Sequence, residues 1–140
     1  MKALAFAVML ASCGGDDQPV TVDARLVDAL PPDAPPREVI MSTQGLPAGE
    51  LVEGIMTASE ADLAVIRLSA PVAQIGWNIH GHANGMTQIV HEEHDTGAVE
   101  FVFVPPAQAD WYLLVRNESQ INMDVQIRVE MYGAMTWRWQ

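Results

Sequence analysis

All four histidines of the chain lie within fifteen residues, as a His80-Gly-His82 pair and a His91-Glu-Glu-His94 pair. Neutral imidazoles are good ligands for zinc and copper, so this clustering has the residue types that a metal site needs. Between the two pairs lies Asn84-Gly85, a dipeptide that favours a two-residue type I′ turn between antiparallel strands. The sequence therefore predicts a β-hairpin with two histidines on each strand.

The register of this hairpin decides which side chains can meet. It places His91 opposite Asn78, and His82 and His91 then lie about 13 Å apart along the strands, too far for one tetrahedral ion. We therefore expect solvent-exposed hairpin histidines and no cofactor, with a zinc or copper site formed by His80, His82 and His91 as the alternative. The expected face, opposite to Trp77 and Ile79, carries His80, His82, His91 and Glu93, whereas His94 points the other way.

The sequence gives little support for a catalytic site elsewhere in the chain. None of the serines lies in a Gly-x-Ser-x-Gly sequence, and the sequence has no glycine-rich phosphate loop. Glu92 and Glu93 are neighbours on a predicted strand, so they point to opposite faces, which favours surface charge over an acid and base pair. We expect a protein that is not an enzyme, and a hydrolase with a site of unrecognised type is the alternative.

The elements that position these residues are short strands. From residue 48 onward, apolar or alternating runs are separated by turn residues, and the clearest is Ile121 to Tyr132, with one apolar and one polar face. The eight predicted strands are 51–57, 62–69, 72–80, 87–93, 99–104, 111–116, 121–132 and 135–139. They predict an all-β fold, an antiparallel β-sandwich of jelly-roll or immunoglobulin-like type, with a β-barrel as the alternative.

One strand carries a resemblance to a known family. The run Asp110-Trp111-Tyr112-Leu113-Leu114-Val115-Arg116-Asn117, preceded by Phe101-Val102-Phe103-Val104-Pro105-Pro106, resembles a strand of small secreted bacterial β-sandwich modules, especially pre-peptidase C-terminal domains. The shared pattern is aromatic-x-Leu-x-Val-x-Asn. The resemblance implies an accessory or binding module, and the Asp-x-Asp calcium pattern of some such modules is missing from this sequence.

The C-terminal strand carries a row of large side chains, Met135, Trp137 and Trp139, on one face. Because Gly133 is the only turn residue after the strand 121–132, we expect the two strands to pair as a hairpin and the row to join the apolar face. A contiguous patch of this size is seldom exposed, which favours a place in the core. In the alternative, Trp137 and Trp139 bind a sugar or a protein.

The N-terminal residues have the pattern of an export signal. Lys2 precedes an apolar stretch, and Leu10-Ala11-Ser12-Cys13 resembles the lipobox of bacterial lipoproteins. The resemblance implies that residues 1–12 are a signal peptide and that the Cys13 thiol receives a diacylglyceryl group. The chain would then be cut before Cys13, and the new N-terminal amine would be acylated. Two or three acyl chains anchor a protein stably in a bilayer. We therefore expect a location in the bacterial cell envelope, at the outer membrane and facing the periplasm or the cell surface.

Residues 13–47 are rich in aspartate and proline, a composition that favours a disordered tether. The predicted organisation is a signal peptide at 1–12, the lipidated cysteine and tether at 13–47, and the β-sandwich domain at 48–140.

The chain has 18 acidic and 7 basic residues, for a net charge of −11, and its basic residues are spread singly. Nucleic-acid binding needs clustered positive charge, so nucleic acid is excluded as a partner. The expected partners are the lipid bilayer, through the N-terminal lipid, and an envelope protein or a glycan. We thus expect a membrane-anchored envelope lipoprotein with a β-sandwich binding or scaffolding module, and a periplasmic zinc or copper protein as the alternative.

Overall fold

A computed structural model describes residues 34–140 of the protein. The signal peptide, Cys13 and most of the tether predicted from the sequence lie outside the described residues. The nine strands are β1 (Glu38–Leu46), β2 (Leu51–Ala58), β3 (Leu63–Ser69), β4 (Ile75–Ala83), β5 (Met86–Thr96), β6 (Ala98–Phe103), β7 (Ala109–Asn117), β8 (Met123–Tyr132) and β9 (Thr136–Trp139). Within residues 34–140, no helix has the length and apolar character to cross a membrane.

The strands form two antiparallel sheets that pack face to face. The four-stranded sheet has the order β1-β8-β3-β6, and the five-stranded sheet has the order β5-β4-β7-β2-β9. Without β9, this is the strand order of a jelly roll. The predicted antiparallel sandwich is confirmed, and the described strands do not close into the barrel that was the alternative.

The core lies between the two sheets and is built by alternation along the central strands. On β8 the inward residues Met123, Val125, Ile127, Val129 and Met131 are all buried, whereas the polar residues between them face outward. On β7 the inward residues are Trp111, Leu113, Val115 and Asn117, the residues that match the aromatic-x-Leu-x-Val-x-Asn pattern. Burial of each large apolar side chain contributes about 1.5–3 kcal/mol.

All eight predicted strands occur, and β1 is a ninth strand that the sequence did not predict. Residues 38–46 pair with β8 and belong to the domain, so the predicted tether 13–47 extends too far and the domain begins near residue 37. The inward face of β1 includes Ser42 and Gln44, whose side chains hydrogen-bond to each other at 2.6 Å. Because polar residues face inward on β1 and apolar residues such as Met41 face outward, its sequence lacks the alternation typical of a half-buried strand.

The predicted hairpin between the last two strands is wrong. Both edges of β8 are occupied, by β1 and by β3, so the chain turns at Gly133 and β9 pairs with β2 in the other sheet. Gly133 has a φ of +86°, and the buried Asp62 carboxylate accepts a hydrogen bond from the next backbone N–H, that of Ala134. Burial raises the pKa of Asp62, but hydrogen bonds from the backbone N–H groups of Ser59 and Ala134 lower it more, so the net shift of this pKa is downward.

Candidate functional site

The hairpin of β4 and β5 forms around Asn84-Gly85, whose φ values of 54° and 74° are those of a type I′ turn. Near the turn the register is the predicted one, with His82 opposite Thr87 and His80 opposite Ile89. Beyond that point Val90 has no partner, and His91 lies opposite Ile79 instead of Asn78. Val90 is therefore a β-bulge, which reverses the alternation of the following side chains.

The bulge moves His91 to the inner side of the sheet. Its ring lies 4.8 Å from the ring of Trp77 and 4.3 Å from that of Phe101, measured between centroids. Glu93 is on the same side, where it accepts a hydrogen bond from Trp77 Nε1 at 3.1 Å. The prediction that His91 and Glu93 share a face with His80 and His82 is therefore wrong, and so is the opposite orientation predicted for His94.

Two of the predicted histidines do come together, with three residues that the sequence analysis did not single out. We call this group, on the outer face of the five-stranded sheet, the His80 cluster. The imidazole of His80 stacks on the Tyr112 ring with centroids 5.2 Å apart and planes at 13°, and the His82 ring touches both edgewise at 5.1 and 4.9 Å. The members of the cluster are Glu53, Asn78, His80, His82 and Tyr112.

Polar groups complete the surroundings of His80. Its Nδ1 lies 2.8 Å from the Asn78 Oδ1 atom, and its Nε2 lies 3.5 Å from Glu53 Oε1. His80 is only 8% exposed, whereas His82 is exposed and Tyr112 is half-buried. Burial lowers the pKa of His80, and Glu53 offsets this effect only in part. His80 is therefore neutral near pH 7 and holds one hydrogen-bond donor and one acceptor.

The zinc or copper alternative required His80, His82 and His91 to lie close together. The structure keeps His91 on the other side of the sheet from the first two, so it does not bring the three side chains together. Within residues 34–140, no three His, Cys, Asp or Glu side chains are arranged as a group that could hold a metal ion.

A second polar group lies further along the same outer face. His94 Nδ1 is 2.6 Å from Glu118 Oε1, and its Nε2 is 3.7 Å from Glu92 Oε1. The hydrogen bond to Glu118 is the main cause that raises the pKa of His94. These side chains, with Asn78 and Arg116, line a small depression of about 100 Å³. Because Asn78 belongs to both groups, the outer face of β4 and β7 carries one continuous polar strip.

The tryptophan row lies at the far edge of the same sheet. Trp137 is half-buried against the core, and its indole covers Gly54, where a Cβ atom would collide with it. Trp139 lies 5.1 Å from Trp137 and is 38% exposed. The pair is on the side of β9 that faces the other sheet, so it is separate from the His80 cluster.

The sequence did contain a signal for Tyr112. If alternate residues of β7 face inward with Trp111, Tyr112 must point outward, where its ring can contact outward side chains of the neighbouring strands. Its neighbours Glu53 and His80 come from strands far apart in sequence, and only the pairing of β7 with both β2 and β4 brings them together.

The comparisons with known proteins concern the fold. No protein-family model matches the sequence, and a search of curated proteins finds no match. A solved structure that is similar is the crystal structure of Yersinia pseudotuberculosis-derived mitogen, with a TM-score of 0.52 and 10% sequence identity. The match covers 68% of this chain and 86% of that chain. It shows that the two share a β-sandwich architecture.

Proposed function

We propose that the protein is a lipid-anchored module of a bacterial cell envelope that binds a glycan on the outer face of its five-stranded sheet. The observation that carries the binding proposal is the His80 cluster. It combines three rings in mutual contact with a carboxylate and a carboxamide on an exposed sheet face. No catalytic role is proposed for any of these groups.

The chemistry of the cluster suits a sugar. Aromatic side chains offer an apolar face together with a polar edge, and a few fixed polar groups supply orientation and specificity. Here the Tyr112 and His82 rings can pack against sugar C–H groups, while Glu53 and Asn78 can pair with hydroxyls. Because the rings already contact one another, binding orders few additional side chains.

The shape of the surface favours an extended ligand. The depression beside the cluster is small, about 100 Å³, and continues the polar strip toward His94 and Arg116. A small molecule is usually held in a larger apolar cavity, whereas an oligosaccharide can lie across several weak subsites. Jelly rolls include lectin domains, which is an analogy at the level of the fold.

The anchoring proposal is supported by the sequence Leu10-Ala11-Ser12-Cys13 and by the start of the domain near residue 37. Residues 14–37 would connect the lipid to the domain, and 24 residues span at most about 80 Å. A glycan of the cell envelope would be within this distance.

The binding proposal is tested by calorimetric titration with peptidoglycan fragments and with the core oligosaccharide of lipopolysaccharide. We expect Tyr112→Ala to weaken binding at least about tenfold, which corresponds to about 1.4 kcal/mol. The matched control is Tyr132→Ala, since Tyr132 is the other tyrosine of the chain and lies half-buried in the other sheet. If neither saccharide binds, or if both variants lose affinity equally, the proposal is wrong.

The anchor is tested through primary amines. Lys2 is the only lysine, so a mature chain that begins at an acylated Cys13 has no primary amine. Amine-reactive labelling of the membrane form should fail, whereas a Cys13→Ala protein should be labelled and leave the membrane fraction. Strong labelling of the wild-type mature protein would contradict full acylation.

A further inference from the structure

The hairpin of β4 and β5 and the first residue of β1 lie at the same end of the sandwich. β1 begins opposite the end of β8, and β3 begins there too, next to the turn from β2. In the other sheet, β4 ends where β2 ends and β7 begins, as the pairings of Gly81 with Trp111 and of Ala58 with Ala109 show. The segment that leads back to Cys13 therefore enters the domain at the end that carries the hairpin turn.

The tip of the hairpin does not pair with β7. Gly81 is the last residue of β4 that pairs with β7, and residues 82–87 pair only with each other across the turn. This part and the positions just behind it expose large apolar side chains. Met86 is 69% exposed, Ile89 is 52% exposed and Val90 is 39% exposed.

The charge of the hairpin differs from that of the rest of the chain. From His80 to His91 there is no carboxylate, although the net charge of the whole protein is −11. The acidic residues of β5 begin directly after His91, with Glu92 and Glu93. The loops at the opposite end of the sandwich carry Glu50, Glu118 and, beside them, Asp95 and Asp124.

We propose that the hairpin tip, residues 83–90, contacts the lipid surface in which the protein is anchored. This inference rests on the proposed lipid anchor. An exposed apolar hairpin tip without carboxylates, at the end where the anchored segment enters, suits the headgroup boundary, where apolar side chains gain free energy and carboxylates would be repelled by anionic lipids. The contact is shallow, because the free edge of β5 keeps its unpaired backbone groups in water.

The same end also carries Glu38 and Glu60, which are exposed, and Asp110, whose carboxylate pairs with Arg138 at 2.7 Å beside the hairpin. Glu38 and Glu60 belong to β1 and to the turn between β2 and β3, away from the hairpin. They limit the contact to the hairpin tip and do not allow the whole end of the sandwich to lie flat on an anionic surface.

The test uses the full lipidated chain in vesicles of phosphatidylethanolamine with a minority of phosphatidylglycerol. A single cysteine is introduced by Gln88→Cys and labelled with a polarity-sensitive fluorophore, since the Cys13 thiol is consumed by the lipid. The matched control is Gln120→Cys, an exposed glutamine in the turn after β7 at the opposite end. Nitroxide-labelled lipids serve as quenchers, and flotation with the vesicles is measured on the same samples.

We expect the label at position 88 to shift to the blue and to be quenched at least about twofold more than the label at position 120. Adding Met86→Ser and Ile89→Ser should remove this difference while the protein still floats. If the protein floats but both labels behave as in water, the hairpin proposal is wrong and the anchor stands. If the protein does not float, the anchor and the hairpin contact are both wrong.

Discussion

Replacement of Asn117 by alanine should destabilise the domain more than any exposed substitution. Asn117 is fully buried at the end of β7, and its side chain joins the loop after β1 to the turn after β7. Its Nδ2 group donates to the carbonyl oxygens of Leu46, Pro47 and Ile121 at 3.0, 3.1 and 2.7 Å, and its Oδ1 accepts from the backbone N and the Oγ of Ser119 at 2.9 and 2.7 Å.

The magnitude follows from the groups that lose their partner. The two N–H bonds of the Nδ2 group serve three carbonyl oxygens, so one N–H is shared by two of them, and the carboxamide oxygen serves Ser119. Each buried polar group left without a partner costs about 1–3 kcal/mol. We therefore expect Asn117→Ala to lower the free energy of unfolding by about 3–5 kcal/mol, which is a large part of the roughly 5–15 kcal/mol of a typical domain. The melting temperature should fall by roughly 15–30 °C.

The assay is urea unfolding of the full chain, followed by the fluorescence of the buried Trp77 and Trp111. Asn122→Ala is the matched control, because Asn122 is an exposed asparagine at the end of the same turn. Its side chain accepts only one long, exposed hydrogen bond, at 3.4 Å from Ala48 N, so the change should alter stability by less than about 0.5 kcal/mol. A cycle with Ser119→Ala should show coupling of about 0.5–3 kcal/mol to Asn117. A loss below about 1 kcal/mol for Asn117→Ala would refute the reasoning, since it would mean that the released groups find water.

Three further predictions concern single side chains. The pKa of His94 is raised in the folded state, mainly by its hydrogen bond to Glu118. The pair therefore stabilises the fold below about pH 6.5, and this stabilisation is lost as the pH rises through the folded-state pKa. In NMR titrations, Glu118→Gln should lower the pKa of His94. Burial lowers the folded-state pKa of His80, so stability should fall as pH drops below about 6.5, and His80→Gln should reduce the difference between urea unfolding at about pH 7 and about pH 5. Trp137→Ala should lower the free energy of unfolding in urea by about 2–3 kcal/mol, because it removes a large half-buried side chain. Trp137→Phe should lower it by less than about 1 kcal/mol, because the buried Nε1 of Trp137 has no hydrogen-bond partner to lose. Equal losses in the two variants would contradict this.

The strands of the core could be predicted from the sequence because alternation is a local signal. β8 alternates over its whole length, and its apolar residues are the buried ones. The hairpin turn was predictable for a similar reason, since Asn and Gly tolerate the positive φ angles that a type I′ turn requires at both of its central residues and that most other residues avoid. Both features depend on residues close together in the chain.

The partners of β9 depend on contacts that no local pattern contains. Gly133 indicates a turn, but whether β9 returns along β8 depends on whether an edge of β8 is free. That edge is occupied by β1, whose sequence does not alternate clearly. Because β1 is not recognisable from its own sequence, the sequence predicts β8 as the partner of β9 instead of β2.

The bulge at Val90 had the largest effect on the candidate site. Without it, His91 would lie opposite Asn78 and beside the His80 cluster, as the regular register requires. One unpaired residue instead turns His91 toward Trp77 and Phe101, where the ring packs against apolar neighbours. The outer face therefore keeps only His80 and His82 near Tyr112, which favours stacking and hydrogen bonding over metal coordination. The same bulge also lies at the boundary between the acid-free hairpin tip and the acidic remainder of β5.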